Sequence, residues 1–442
     1  MKTNISDHFT YRKLLSFTLP SVMMMIFTSI YGVVDGYFIS NYAGKTPFAA
    51  INLIMPFLMI LGGMGFMLGS GGSALTAMVL GEKKERLASR YFSMIVEFTA
   101  VLGLILTIFS QIFLKRIALA LGASDEMLPY CLSYGRIWLM FITVFMLQNL
   151  FQSLLITAGK PQMGFFVTVA AGSANIVLDF IFVGVLRYGV AGAAAATVIS
   201  QCVGGFIPLL YFIFSRKSIL LFRPVKLEIK PVLRACGNGS SEMMSNISSS
   251  VVSIVYNRQL LKYAGENGVA AYGVMMYVNF IYIAIFVGYS VGAAPIVSYH
   301  YGAGDTAELK NMRRKSMLLM SAGGLVMTAV AQFLAQPLAE LYVGYDAELM
   351  QMTARAFHIF ALAFILCGIN IYTSSFFTAL NNGAVSALIS FLRTLVFELL
   401  SVLLLPALFG IDGIWGAVGV AEVMAFIISM IFLAVNQKRY QY

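Results

Sequence analysis

Twelve long apolar runs, separated by polar or Gly/Pro-bearing connections, leave this chain one kind of fold. They lie near residues 14–40, 48–80, 91–114, 129–155, 163–186, 190–214, 236–262, 269–299, 316–336, 349–378, 384–408 and 412–435. A bilayer-crossing helix needs ~20 mostly apolar residues. Transmembrane β-strands would instead give ~10-residue alternating segments. The expected fold class is an all-α polytopic membrane protein with 12 transmembrane helices. Only 11% of the 442 residues are charged, against ~25% in soluble domains. The net charge of +10 would point to nucleic acid in a soluble protein, but here it belongs to connecting loops, so no nucleic-acid partner is expected. The four cysteines, Cys131, Cys202, Cys236 and Cys367, are far apart and show no metal-ligand spacing; they read as core thiols. The polar start up to Lys13 carries no small-residue cleavage site, so the first run reads as a retained span.

Orientation follows from the basic residues. With the N-terminus inside, 20 of the 29 Lys and Arg fall on the inner side, in groups such as Lys83, Lys84, Arg86 and Arg90, and Lys310, Arg313, Arg314 and Lys315. Five, namely Lys45, Lys115, Arg116, Arg187 and Lys262, fall outside. Both termini are therefore expected to be cytoplasmic. The longest inner connection, Arg216 to Arg234 with Pro224 and Pro231, falls at the midpoint of the chain. It divides an N-terminal lobe (1–215, helices 1–6) from a C-terminal lobe (235–442, helices 7–12), with 216–234 as cytoplasmic linker. Self-comparison supports the division. Tyr42-Ala43-Gly44 recurs as Tyr263-Ala264-Gly265, an offset of 221 that also relates Gly71 to Gly292 and Gly81 to Gly302. Six spans per half bring each half back to the face it entered, so the repeat is parallel, with a pseudo-two-fold axis along the membrane normal. Two such lobes suit a central cavity and alternating access.

Charges inside the spans are the functional candidates, since each costs about 2.5–3.5 kcal/mol even on the gentler insertion scales. Asp35 lies 22 residues past Lys13, or ~33 Å along the first helix. Asp179 lies 19 residues past Lys160 in the fifth, or ~29 Å. Both therefore reach similar depth in the outer part of one lobe, and Asn175 shares the helix face of Asp179. Two close carboxylates cannot both stay ionised cheaply. With the amide they form a candidate site for a proton or Na⁺; the bland alternative is two separate hydrated charges. At the offset of 221, Asp35 falls on Tyr256 and Asp179 on Leu400, so the second half lacks these acids.

Glu97, Glu242, Glu398 and Glu422 are further intramembrane acids. Glu242 sits in GNGSSEMMSNISSS with Asn246, a stretch that suits either a polar cavity wall or close helix packing. Arg393 and Glu398, five residues apart, can serve as a structural pair or as substrate contacts. Arg355 and His358 can titrate or fasten helix ten. Candidates for the cavity wall are Tyr31, Glu242, Asn246, Met275, Arg393 and Glu398, the methionine as an adaptable apolar surface. GSGGS at 69–73 lacks the GK[ST] ending of a phosphate loop and reads as helix packing. Three scattered histidines, His8, His300 and His358, supply no catalytic or metal cluster, so no enzyme is expected. No cofactor and no metal are expected beyond transported H⁺ or Na⁺ at Asp35, Asn175 and Asp179.

Two six-helix halves, VVDGYFIS in the first span, ANIVLDFIF in the fifth and APIVSYHYGAG after the eighth together resemble the MATE (multidrug and toxic compound extrusion) transporters, most similarly their DinF-like branch. The resemblance covers nearly the whole chain. It implies a V-shaped two-lobed fold and an antiporter that exports lipophilic or cationic compounds in exchange for H⁺ or Na⁺. It also implies cation binding at the carboxylates matching Asp35 and Asp179 and the amide matching Asn175. Phe180 stands where a common form of the fifth-span motif has Pro, so helix geometry there is expected to differ. The expected partners are small-molecule substrates and the lipid bilayer, with function as a monomer in a bacterial or archaeal cytoplasmic membrane. The rival reading is a flippase, or an exporter of a lipid-linked or specific endogenous metabolite. Arg136, Arg258, Arg355 and Arg393 favour it, and the paired acids oppose it.

Overall fold

The computed structural model describes residues 4–442 other than 216, 217 and 224. Arg216 and Pro224, named above in the linker, and Lys2 and Lys217, counted among the 20 inner basic residues, lie outside the described residues. The helices are α1 Tyr11–Ala43, α2 Thr46–Gly81, α3 Glu85–Ala120, α4 Leu128–Met140 continued as Ile142–Thr157, α5 Pro161–Val185, α6 Gly189–Phe214, a stretch Ile229–Gly302, α9 Thr306–Val343, α10 Ala347–Ala379, α11 Gly383–Phe409 and α12 Ile411–Tyr440. The stretch Ile229–Gly302 would run ~111 Å if straight, several bilayer cores in length. It does not, because Gly265 takes φ 62°, ψ −150°, a conformation essentially closed to residues with a Cβ. Tyr256 and Tyr272 would stand ~24 Å apart on a straight helix, yet their rings stack with centroids 5.1 Å apart. The stretch is therefore two spans, α7 (229–264) and α8 (266–302), and the count reaches the expected twelve.

Several helices outrun their apolar windows. The run near 316–336 sits inside the 38-residue α9, and the run near 91–114 inside the 36-residue α3. The additions are polar turns. At the start of α9, Asp305 accepts a hydrogen bond from the Glu308 amide at 3.0 Å, supplying an N-cap. α4 is not one straight span: it bends by 57° at Phe141. The linker also ends earlier than expected, because α7 begins at Ile229 and takes in Arg234. Its described part is fastened to α3: the amides of Leu221 and Arg223 donate to Ser89 Oγ and Ser93 Oγ at 3.2 and 2.9 Å, and Arg90 pairs with Glu228.

The two halves are held by backbone-to-backbone contacts that repeat the offset read from the sequence. A Cβ on Gly81 would lie 1.9 Å from the Tyr299 carbonyl oxygen, and a Cβ on Gly302 would lie 1.9 Å from that of Met78. Adding 221 to Met78 and Gly81 gives Tyr299 and Gly302, so the two contacts are images of each other about a central axis. One step away, Gly71 meets Gly239 on α7, while its image Gly292 meets Thr18 on α1, the image of Gly239. Glycine is required here because any side chain would part the helices.

Hydrogen bonds between the lobes run from the chain-end side to mid-depth. His8 Nδ1 lies 2.6 Å from Glu308 Oε2, the Phe9 amide donates to Glu308 Oε1, and Lys315 and Asn311 donate to the Phe9 carbonyl. Deeper, Asn381 donates to the Ala74 carbonyl, and Ser29 Oγ to that of Phe280 at 3.4 Å. Tyr301 and Tyr440 pack edge-to-face at 5.6 Å, so both described chain ends and the α8–α9 turn share this end. Beyond Ser29 toward the other end, none of the described residues makes a hydrogen bond from lobe to lobe. The lobes are joined at the end bearing the chain termini.

Candidate functional site

Asp35 and Asp179 meet inside the first lobe, toward the end away from the chain termini. Each sits beside a widened helical turn. The π-helical turn Ile39–Ala43 begins four residues after Asp35, and the π-helical turn Phe180–Val185 begins immediately after Asp179. Such turns are frequent at functional sites because they aim side chains that regular helix geometry would not.

The two carboxyl groups are adjacent, Tyr134 stands close to both, and Tyr31 beside them faces Gln148. Asp179 is 0% exposed and Asn175 is 1% exposed; Asp35 is half-buried. Trp138, Tyr134, Leu58, Ile54 and Val183 belong to the separate apolar core of this end of the lobe. Among the described residues, one oxygen of Asp35, both oxygens of Asp179 and both amide atoms of Asn175 are buried without a hydrogen-bond partner. Buried polar atoms are normally satisfied. A cluster of five that are not is chemically incomplete, and a proton or a small oxygen-seeking cation would complete it. No group of three or more His, Cys, Asp or Glu side chains able to hold a metal ion occurs among the described residues.

The second lobe places its acids differently. α7, α8, α10, α11 and α12 surround a cavity of about 320 Å³ whose wall carries Glu242, Glu398, Glu422 and Arg393, with a row of serines that includes Ser245 and Ser249. Glu422 is 4% exposed but fully partnered: Arg393 Nε donates to Oε1 at 2.8 Å, and Asn370 Nδ2 to Oε2 at 2.7 Å. Arg393 also reaches Cys367 Sγ at 3.3 Å from the π-helical turn Leu392–Phe397. Glu242 and Glu398 line the cavity without an ion pair or side-chain hydrogen bond among the described residues.

Several expectations need correction. Arg393, for which pairing with Glu398 and substrate contact were both open, makes its ion pair with Glu422 on α12, and it lines the same cavity as Glu398. Met275 is 1% exposed in the core, and Met276, about 100° around the helix, takes the place on the cavity wall. Asn246 faces the other lobe: its amide bonds the Glu242 carbonyl at 3.0 Å, and a Cβ on Gly63 would lie 3.3 Å from it. Tyr31 belongs with the first-lobe acids. Arg355 is bound to Asp412 through two contacts, and His358 Nδ1 lies 2.6 Å from Gln332 Oε1, so both fasten helices. Glu97 is half-buried on α3 without a partner among the described residues. Residues not singled out from the sequence are Gln148 and Tyr134 in the first lobe and Asn370 in the second. Gln148 and Gln152, four apart in an otherwise apolar run, were the legible signal; Gln148 Oε1 and Gln152 Oε1 are buried and unpartnered.

The family model MatE matches residues 20–181 and 243–403, two stretches of nearly equal length that fall one in each half. A multidrug export protein MepA of Staphylococcus haemolyticus (strain JCSC1435) is 24% identical over 428 residues, covering 95% of this chain and 92% of the relative. A solved structure described as the outward-facing conformation of a multidrug resistance MATE family transporter superposes with a TM-score of 0.92 at 21% identity, over 98% of this chain and 97% of the other. A MATE crystallised in complex with MaL6 gives 0.92 at 21% identity and 98% coverage of both. The arrangement of twelve helices in two lobes is shared with these structures.

Proposed function

This chain belongs to the MatE family, and on that premise we propose that it is a secondary active antiporter exporting lipophilic and cationic compounds in exchange for H⁺ or Na⁺. The observation that carries the coupling is the cluster of unpartnered buried oxygens and amide atoms at Asp35, Asn175 and Asp179. Two uncompensated carboxylates in an apolar interior are unfavourable, so the site favours a bound proton or Na⁺. The ion drives transport only insofar as it binds one conformation better than the other. The π-helical turns next to both acids supply elements whose packing can differ between states.

The basic residues support cytoplasmic chain ends, and the lobe contacts at that end fit the state open to the outside. In that state an external cation reaches Asp35 and Asp179. Its binding favours the return to an inward-open form, where substrate enters from the cytoplasm. Glu242 and Glu398 on the second-lobe cavity suit the positive charge of an amine or quaternary ammonium substrate, with the serine row and aromatic rings taking the rest. The flippase reading loses support from the same region, since Arg393 is committed to Glu422 and Arg355 to Asp412.

The test is efflux by the purified protein in sealed vesicles, energised first by a pH gradient and then by a Na⁺ gradient. One gradient is expected to drive accumulation of a fluorescent organic cation, and Asp35→Asn to abolish it at normal protein abundance. Undiminished gradient-driven transport by Asp35→Asn would overturn the coupling assignment.

A further inference from the structure

We propose that the groove between the start of α9 and the end of α12 is a binding site for an anionic phospholipid of the leaflet at the chain-end side. The groove measures about 590 Å³ and is walled by Lys310, Arg313, Arg314, Leu318, Gln437 and Tyr442, among others. Three cations thus converge on it, and none forms an ion pair among the described residues. Their neighbour Lys315 is spent on the Phe9 carbonyl, and Glu308, the acid nearest in sequence, is spent on His8 and the Phe9 amide. Arg313 rides over the Tyr442 ring at 5.3 Å, which fixes the guanidinium in the wall. Its Nε is buried without a hydrogen-bond partner, and its outer nitrogens make no hydrogen bond among the described residues, so the guanidinium presents donors to a phosphate oxygen in the groove.

The occupant is identified by what continues from the charges. On α9, Arg314, Leu318, Leu325 and Phe333 lie on one face, spaced by four, seven and eight residues, and the three apolar ones are 57%, 59% and 82% exposed. On α12, Ile427, Ile431 and Val435 form a second exposed stripe. A ligand with a phosphate at the basic mouth and two acyl chains along these stripes meets both chemistries. A free phosphate or a soluble anionic peptide would leave the apolar stripes without use. Basic pockets between transmembrane helices at the cytoplasmic interface are known lipid headgroup sites in general terms.

The experiment uses the full chain in detergent, with thermal unfolding and lipid titration followed by native mass spectrometry. The probes are phosphatidylglycerol, phosphatidylcholine of the same acyl chains, and inorganic phosphate. Phosphatidylglycerol is expected to bind and stabilise the wild type while phosphatidylcholine does so far less, and each charge removed in Arg313→Gln and Arg314→Gln to weaken phosphatidylglycerol binding roughly fivefold. Lys310→Gln, an exposed position, serves the same purpose if an arginine variant is poorly produced. Equal binding of the two lipids, or undiminished phosphatidylglycerol binding by the variants, would overturn the proposal. So would inorganic phosphate reproducing the whole stabilisation, since the site would then read phosphate without lipid.

Discussion

The two lobes share a helix plan and an offset of 221 residues, yet they treat intramembrane acids in opposite ways. In the first lobe Asp35 and Asp179 stand together with no cation, and Asn175 beside them is also unpartnered. In the second, the buried acid Glu422 is held by Arg393 and Asn370. Glu398 sits near Tyr256 and Tyr272, and Tyr256 is the residue to which the offset carries Asp35. A buried pair already neutralised by the protein gains nothing from a passing ion. A pair left incomplete does. What sets the first-lobe acids apart among the described residues is that their unpartnered carboxylate oxygens are buried, whereas Glu242 and Glu398, also without side-chain partners, face the second-lobe cavity.

The largest expected effect breaks the first-lobe side of this contrast. Asp179→Asn retains size and burial but removes the charge that a cation would offset. Gradient-driven transport in vesicles is expected to fall at least ~100-fold, because losing an ion preference of that order removes the bias between states. Residual gradient-driven transport near the wild-type rate would show that Asp179 is not needed for coupling. The mirror-image change tests the second lobe. Arg393→Met strands Glu422 in the interior, which typically costs about 3–5 kcal/mol, and so should lower thermal stability steeply. Arg393→Met combined with Glu422→Gln should recover most of it, since no uncompensated charge remains. If the double variant is no more stable than the single, the pair is not the source of the stability.

Much of the fold was legible from residues because spans and loops obey strong, local rules. Apolar runs gave twelve helices, and glycine spacing gave the repeat, which the Gly81–Tyr299 and Gly302–Met78 contacts now explain: equivalent glycines recur because the pseudo-axis brings each against the image of its own helix. Helix ends were not legible, since the polar turns at 306–315 and 85–90 are helical for capping and tertiary reasons that hydropathy does not report. Asp35 and Asp179 could be brought to similar depth by counting residues. Their neighbours could not, because Gln148 and Tyr134 come from a helix whose 57° bend at Phe141 no periodicity signals. The partner of Arg393 was not legible for a related reason: spacing along its own helix left Glu398 an open choice, while the carboxylate that captures it arrives on α12. Met275 and Met276 differ only in rotation, which a run without amphipathic pattern leaves undetermined.

A smaller effect sharpens the comparison by asking where the lobes should behave alike. Gly81→Ala and Gly302→Ala insert a methyl against equivalent carbonyls, each with its ideal Cβ 1.9 Å from oxygen, so each must push the lobes apart at the end bearing the chain termini. Both are expected to shift the population toward the inward-open form by similar amounts. Cysteine pairs read by cross-linking or by spin-label distances across the α2–α8 contact would measure the shift. A twofold difference in function between these variants is compatible with the pseudo-symmetry; a shift in one and none in the other is not, and would mean that the contact is held by one lobe alone.

The smallest effect belongs to an ion pair that resembles Arg393–Glu422 in chemistry and differs in setting. Arg355 meets Asp412 with its side chain 69% exposed, whereas that of Arg393 is 16% exposed. Solvent screens the first pair, and exposed pairs are worth about 0–1 kcal/mol. Arg355→Gln should therefore change the unfolding temperature by a degree or two and leave transport unaltered, several-fold less than Arg393→Met. The ratio matters more than either value, because it isolates burial from charge. If the two substitutions destabilise equally, burial is not what makes the second-lobe pair structural, and the argument that an unpartnered buried acid is the mark of coupling loses its physical basis.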